Sequence, residues 1–282
     1  MISITEKTLK DLEFHTILQT ISDRCNTDIG MEKALQIQPF KNKEVLFSEL
    51  AYTNEYVSSF TNNNALPNHG FETVTSDLKL LAIEDSFLEL ASIKKILDLS
   101  KSTNEYLKFL KKFNDYYPQL YKKSSEIEFT PFVAKAIEEI VNKYGEIKDD
   151  ASPDLVNIRR NINVVRGKIN QSFGMALSHF NSLGYLDDIK ETVVDNRRVL
   201  AVQAMYRKKV KGSILGNSKT GSIAYIEPET TLKYSRELNN LEFEEREEIM
   251  RILRVLSATI RPYVNLIAQY QDFLSDIDLI AA

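Results

Sequence analysis

Cysteine occurs once in the 282 residues, glycine nine times and proline seven times, and no apolar run approaches the length of a membrane span. The lone Cys25 excludes a disulfide framework and a thiolate metal site, and fits a reducing cytoplasm. The scarcity of glycine and proline argues against a turn-rich β-sandwich and for long helices. A membrane span needs about 18 apolar residues, so no membrane partner is expected. The start, MISITEKTLKDLEFHTILQ, is acidic and amphipathic, unlike a signal peptide. His15, His69 and His179 have no metal-ligand spacing, and His15 is expected to pack on a helical core face. An apolar fraction of 43% with 27% charged residues places the chain among globular proteins of one large or two ordinary domains.

Helical spacing dominates what is present. Leu9, Leu12, Ile17, Leu18 and Ile21 suggest an opening helix, and a short pattern follows around Met31 to Ile37, stopped by Pro39. Another helix is expected over residues 41–61, with Val45, Leu50, Tyr52 and Tyr56 among its apolar positions. NNNALPNHG reads as a loop, and further helices fill 75–145. At Ser152-Pro153-Asp154 the signals sharpen: an N-cap, a proline suited to the first turn, and an acid that complements the helix dipole. From Leu155 to Leu183, apolar residues then recur in steps of three or four, a narrow seam on a rod of roughly 50 Å. A second seam runs from Leu238 to Ile277, interrupted at Glu245 and kinked or broken at Pro262. The acids from Glu242 to Glu248 read as a solvated face with Arg246 and Arg251 as helical partners.

Between the rods lies an acid-free window, Asn196 to Ile226, with seven bases: Arg197, Arg198, Arg207, Lys208, Lys209, Lys211 and Lys219. Seven of the chain's 36 bases fall there, so the remainder holds 29 against 40 acids, a net of −11 against +7. The window reads as strands, alternating from Arg198 through Tyr206, with turn chemistry at GNSKTGS and a short strand IAYIEP. A concentrated positive patch on an acidic body is the electrostatic footprint of a polyanion partner. Asn217 and Ser218 add short polar donors beside Lys219. No recognition helix carries base-reading residues, so contact should follow backbone and shape. Gly216 and Gly221 have the spacing of a phosphate-binding loop, but Ser222 stands where the lysine must be. No catalytic constellation is found.

The ordered set LEFHTIL, GEIKDDASPDLVNIRRNI (145–162), NRRVLAV with YRKKVKG, TGSIAYIEP (220–228) and RELNNLEFEEREEIMRILRVLSATI (236–260) resembles the MutS family. The resemblance is closest to the branch without an N-terminal mismatch-recognition domain. Phe87/Glu89 and Phe243/Glu245 have the spacing of the mismatch-reading pair but sit in helix patterns. The family's two asparagines after the clamp align with Ser235 and Arg236 here, with Asn239 and Asn240 further on. The resemblance implies a mainly α fold: a helical core (1–150), an outgoing lever helix (151–190), a small antiparallel, basic β clamp (191–228), and a returning lever helix (229–282). It implies that the clamp binds duplex or branched DNA through Arg197, Arg198, Arg207, Lys208, Lys209, Lys211, Asn217, Ser218 and Lys219. It further implies an ATPase domain beyond residue 282, which would take ATP and Mg and carry most of a homodimer contact. The chain is accordingly expected to be an N-terminal fragment that binds no cofactor and does not hydrolyse ATP. The alternative is an arm that docks a protein, structured RNA or the ribosome.

Overall fold

The computed structural model describes residues 5–62 and 64–282; the opening four residues and one residue of the NNNALPNHG loop lie outside the described set. The chain divides into two compact units, one of residues 1–148 with 252–282, the other of residues 149–251.

The first unit is helical. It holds α1 (Glu6–Asp11), α2 (Phe14–Ser22), α3 (Asp28–Leu35), α4 (Lys43–Ser58), α5 (Thr75–Leu81), α6 (Leu90–Lys112), α7 (Pro118–Ser124) and α8 (Phe132–Ile140). Its core joins Ile93, Ile96, Leu99 and Leu110 of α6, Val133 and Ile137 of α8, and Ile267, Tyr270, Leu274 and Ile277 near the chain's C-terminal end. Tyr106 meets Phe273 edge to face at 6.2 Å. Residues 252–282 therefore belong with the first unit, although their periodicity alone assigns them to a returning rod. Pro262 does break that rod: a 3₁₀ turn at Arg261–Tyr263 separates α10 (Glu229–Ile260) from α11 (Val264–Ala281).

Several apolar expectations fail here. Leu12, Ile17, Val45 and Leu50 are exposed, and so is His15. In α4 the buried position is a polar one, Glu55, and not one of the apolar positions. Glu55 is buried and accepts from the backbone N–H groups of Gln119 and Leu120 at 2.8 and 2.9 Å, capping the start of α7. Asp278 plays a similar part at full burial. It accepts from the Asn26 and Thr27 N–H groups and, at 2.6 Å, from the Thr27 hydroxyl, with His69 Nε2 at 3.1 Å. Burial alone would raise its pKa, but these donors hold it at about 2. Cys25 nearby is pushed up to about 11 by burial and by the Asp278 charge, so its thiol is inert.

The second unit begins with α9 (Pro153–Ser182). Ser152 Oγ accepts from Leu155 N–H at 3.0 Å, as its place before Pro153 and Asp154 predicts. The seam is formed by Leu155, Ile162, Val165 and Phe173, all buried. The helical segment expected to reach residue 190 instead ends at Ser182. Gly184 takes φ +71°, and the N–H groups of Gly184 and Tyr185 bond back to Asn181 and Phe180 carbonyls, the double closure that a left-handed glycine permits.

A four-stranded antiparallel sheet follows, ordered β1-β2-β4-β3: β1 (Leu186–Val194), β2 (Arg197–Gln203), β3 (Gly212–Asn217) and β4 (Ile223–Pro228). β1 and β2 are joined by Asp195 and Asn196, both at positive φ, the two-residue turn whose twist suits a hairpin. The alternation expected through Tyr206 stops at Gln203, where Ala204–Tyr206 form a 3₁₀ turn. Gly212 is required by close approach, since a Cβ there would lie 2.1 Å from the Glu227 carbonyl oxygen. One sheet face supplies Leu200, Val202, Ala224 and Ile226 to a cluster with Phe173, Leu186 and Val210. Within this unit α9 and α10 run antiparallel, since Ser152, Arg159 and Arg166 meet Glu248, Glu245 and Glu242 in that order. The acidic run is thus a solvated face only in part: Glu244, Arg246 and Glu247 are exposed, while Glu242, Glu245 and Glu248 meet α9 or its N-cap. Glu245 interrupts the seam because it receives Arg159 Nε at 2.7 Å. Glu248 is buried between Ser152 and Arg251, and Arg251 holds its carboxyl below the usual range.

Candidate nucleic-acid interface

The sheet register sorts the basic residues. Val194 pairs with Arg197 and Gly212 with Pro228 at one end; Gln203 pairs with Ile223 and Asn217 with Ala224 near the other. At roughly 3.3 Å per residue, the two ends of β2 lie about 20 Å apart. Arg197 and Arg198 therefore stand at the end opposite Asn217, Ser218 and Lys219.

Arg197 and Arg198 are half-buried and engaged. Arg197 pairs with Glu227 at 3.2 Å, and Glu227 itself is 1% exposed. Arg198 pairs with Glu191 at 2.6 Å, donates to Asn170 Oδ1 at 3.1 Å, and lies 4.4 Å over the Phe173 ring. With Arg166, which pairs with Glu242, they line a cleft of about 370 Å³ in which each guanidinium meets a carboxylate. Both acids that neutralise the arginine pair, Glu191 and Glu227, lie just outside the acid-free window. A count along the chain cannot see that the strands fold them back onto it.

The remaining cations are differently placed. Arg207, Lys208, Lys209, Lys211 and Lys219 are exposed, and none of them forms an ion pair among the described residues. Lys219 sits in a turn closed by Ser218 and Ile223, whose backbone N–H and C=O bond at 2.9 Å, with Gly221 at φ +73°. Thr220 and Ser222 hydroxyls meet at 2.8 Å in the same turn, and Ser218 Oγ accepts from Ile223 N–H. Asn217 is exposed at the end of β3. The Ala204 N–H donates to the Ser222 carbonyl at 2.8 Å, which ties the 3₁₀ turn preceding Arg207 to this loop. Tyr206 stacks on Tyr185 with centroids 4.6 Å apart and planes 18° apart, and Lys209 Nζ lies 5.5 Å from each ring centre. Neither this aromatic pair nor β1 is anticipated from the sequence; the Asp195-Asn196 pair between two alternating runs is the signal that could have found the hairpin. Lys209 and Lys211 also border an open cleft of about 520 Å³ with His179, Phe180 and Glu229.

The Gly216–Gly221 segment does not fit a nucleotide phosphate loop. Gly216 lies within β3, and a strand, not a helix, follows the turn. Among the described residues no group of three His, Cys, Asp or Glu side chains is placed to hold a metal ion. No described helix is long and apolar enough to cross a membrane.

No protein-family model matches the chain. Relatives are nonetheless found along its whole length. A protein of Alkaliphilus oremlandii named Endonuclease MutS2 is 27% identical over 282 residues, 99% of this chain and 35% of that relative. Proteins of the same name in Leuconostoc mesenteroides and Caldanaerobacter subterraneus are 28% and 29% identical, over 99% and 100% of this chain and 35% of each relative. This similarity supports a relationship to the MutS family. The chain spans about a third of the length of these relatives, and the word endonuclease in their name is said of those proteins.

Proposed function

We propose that this chain is a DNA-binding lever and clamp module of a MutS-like protein, related to the branch without an N-terminal mismatch-recognition domain. The observation that carries this reading is the set of five exposed cations, Arg207, Lys208, Lys209, Lys211 and Lys219, free of carboxylate partners on a chain of net charge −4. Phosphates would be drawn to those cations and to the donors of Asn217 and Ser218, while the acidic remainder repels the polyanion and confines contact. Arg197 and Arg198 take a supporting part in this reading, since each already holds a carboxylate and a new phosphate contact would have to displace it. The α9–α10 pair would serve as the lever. In a longer protein of this kind, nucleotide chemistry with ATP and Mg would reside in a separate ATPase domain that also carries most of the dimer contact.

The test is fluorescence anisotropy with a labelled 20-base-pair duplex, comparing the native chain with Arg207→Glu/Lys208→Glu/Lys209→Glu. Non-specific affinities of roughly 10⁻⁴ to 10⁻⁶ M are expected for the native chain, and a loss of more than about 30-fold in the variant. Equal binding by the two would refute the assignment.

A further inference from the structure

Met205 has no role in the reading so far, yet it is the most exposed large apolar side chain among the described residues, at 74%. Single exposed apolar residues are ordinary on protein surfaces, so exposure alone carries little. Its setting carries more. Met205 is the middle residue of the 3₁₀ turn at Ala204–Tyr206. That turn is held on one side by the Ala204–Ser222 backbone bond and on the other by the stack of Tyr206 on Tyr185. The side chain thus projects from a braced backbone, not from a slack loop. Arg207 and Lys208, both exposed, follow immediately.

We propose that Met205 is an apolar wedge that inserts beside an unstacked base of nucleic acid held by the neighbouring cations. The proposal rests on the nucleic-acid reading above and names the kind of site on the strand that this interface prefers. Arg207 and Lys208, which follow the turn, draw in phosphates, and the apolar side chain beside them then meets the groove, where burial against a base face removes it from water. Apolar side chains that enter base steps unstack them and favour sites where stacking is already weak. A thioether chain is suited to this because it is flexible and polarizable, and adapts to any base face. The occupant is therefore a base flanking a gap or bulge, recognised by its loosened stacking and not by its hydrogen-bonding edge.

The experiment uses two labelled duplexes, one intact and one with a single-nucleotide gap flanked by 2-aminopurine, whose fluorescence rises on unstacking. The native chain is expected to bind the gapped duplex more tightly and to raise the fluorescence. Met205→Ala should lose both effects, with about a ten-fold fall on the gapped duplex and less than about a two-fold change on the intact one. Met205→Leu should restore both. Identical behaviour of Met205→Ala and the native chain on the two duplexes would overturn the wedge, as would an equal loss on both. If the native chain binds neither duplex, or the triple charge reversal changes nothing, the nucleic-acid reading itself fails and the wedge with it.

Discussion

At the scale of single residues, buried carboxylates decide more than the apolar pattern suggests. Asp278 lies at full burial with three hydrogen-bonding residues around it, Asn26, Thr27 and His69, and its pKa is held at about 2. The folded value is below the ordinary 3.8, so the group favours the folded state above pH 4, and that contribution is lost as pH falls from about 4 through 2. The shift corresponds to about 2 kcal/mol at neutral pH. Asp278→Asn should lower the urea midpoint at pH 7 and flatten its fall between pH 4 and pH 2. An unchanged midpoint at pH 7 would show that the network is not stabilising. None of this is legible from sequence, where Asp278 stands near the end of an apolar helix and its partners lie some 250 positions away in the chain. The same blindness explains Arg197 and Arg198. Their neutralising acids flank the basic window in sequence and cross it only once the strands pair.

At the scale of elements, the most readable parts are those with local causes. The start of α9 follows from Ser152, Pro153 and Asp154, and the break after Ile260 follows from Pro262. These depend on backbone chemistry within a few residues. The strand β1 is missed because its core face is fragmentary: Leu186 is buried, but Ile189 and Val193 face solvent. The acidic run of α10 is misread in part for a related reason: Glu242 and Glu245 find their partners on α9, whereas Glu248 keeps the expected Arg251 partner one turn away and also accepts from Ser152. The sheet is joined to α9 through Phe173, which is fully buried beneath Leu200, Val202, Ala224 and Ile226 and supports the Arg198 guanidinium. Phe173→Ala should cost about 3–5 kcal/mol. Hydrogen exchange should show lost protection in β2 and β4 with α6 little changed; protection retained in both strands would contradict this packing.

At the scale of the whole molecule, the chief feature is the contrast between an acidic chain and five exposed cations of one small sheet domain that form no ion pair among the described residues. A uniformly distributed charge of the same total would repel a polyanion everywhere; a local excess of cations on the sheet domain is what the proposed contact requires. The mainly α character and the small antiparallel sheet are legible from periodicity and from the resemblance; periodicity alone does not say which core residues 252–282 join, and the fold places them with the first unit. In the function proposed here, the five exposed cations, and not the paired arginines, meet the phosphates. The most direct test is the salt dependence of duplex binding. With about 0.9 counterion released per neutralised phosphate, the slope of log K against log salt should be about −3 to −5 for the native chain. It should approach zero when Arg207, Lys208, Lys209, Lys211 and Lys219 are all changed to Gln, and stay within about one unit of native for Arg197→Lys/Arg198→Lys. A steep slope that survives loss of the five cations would contradict the account.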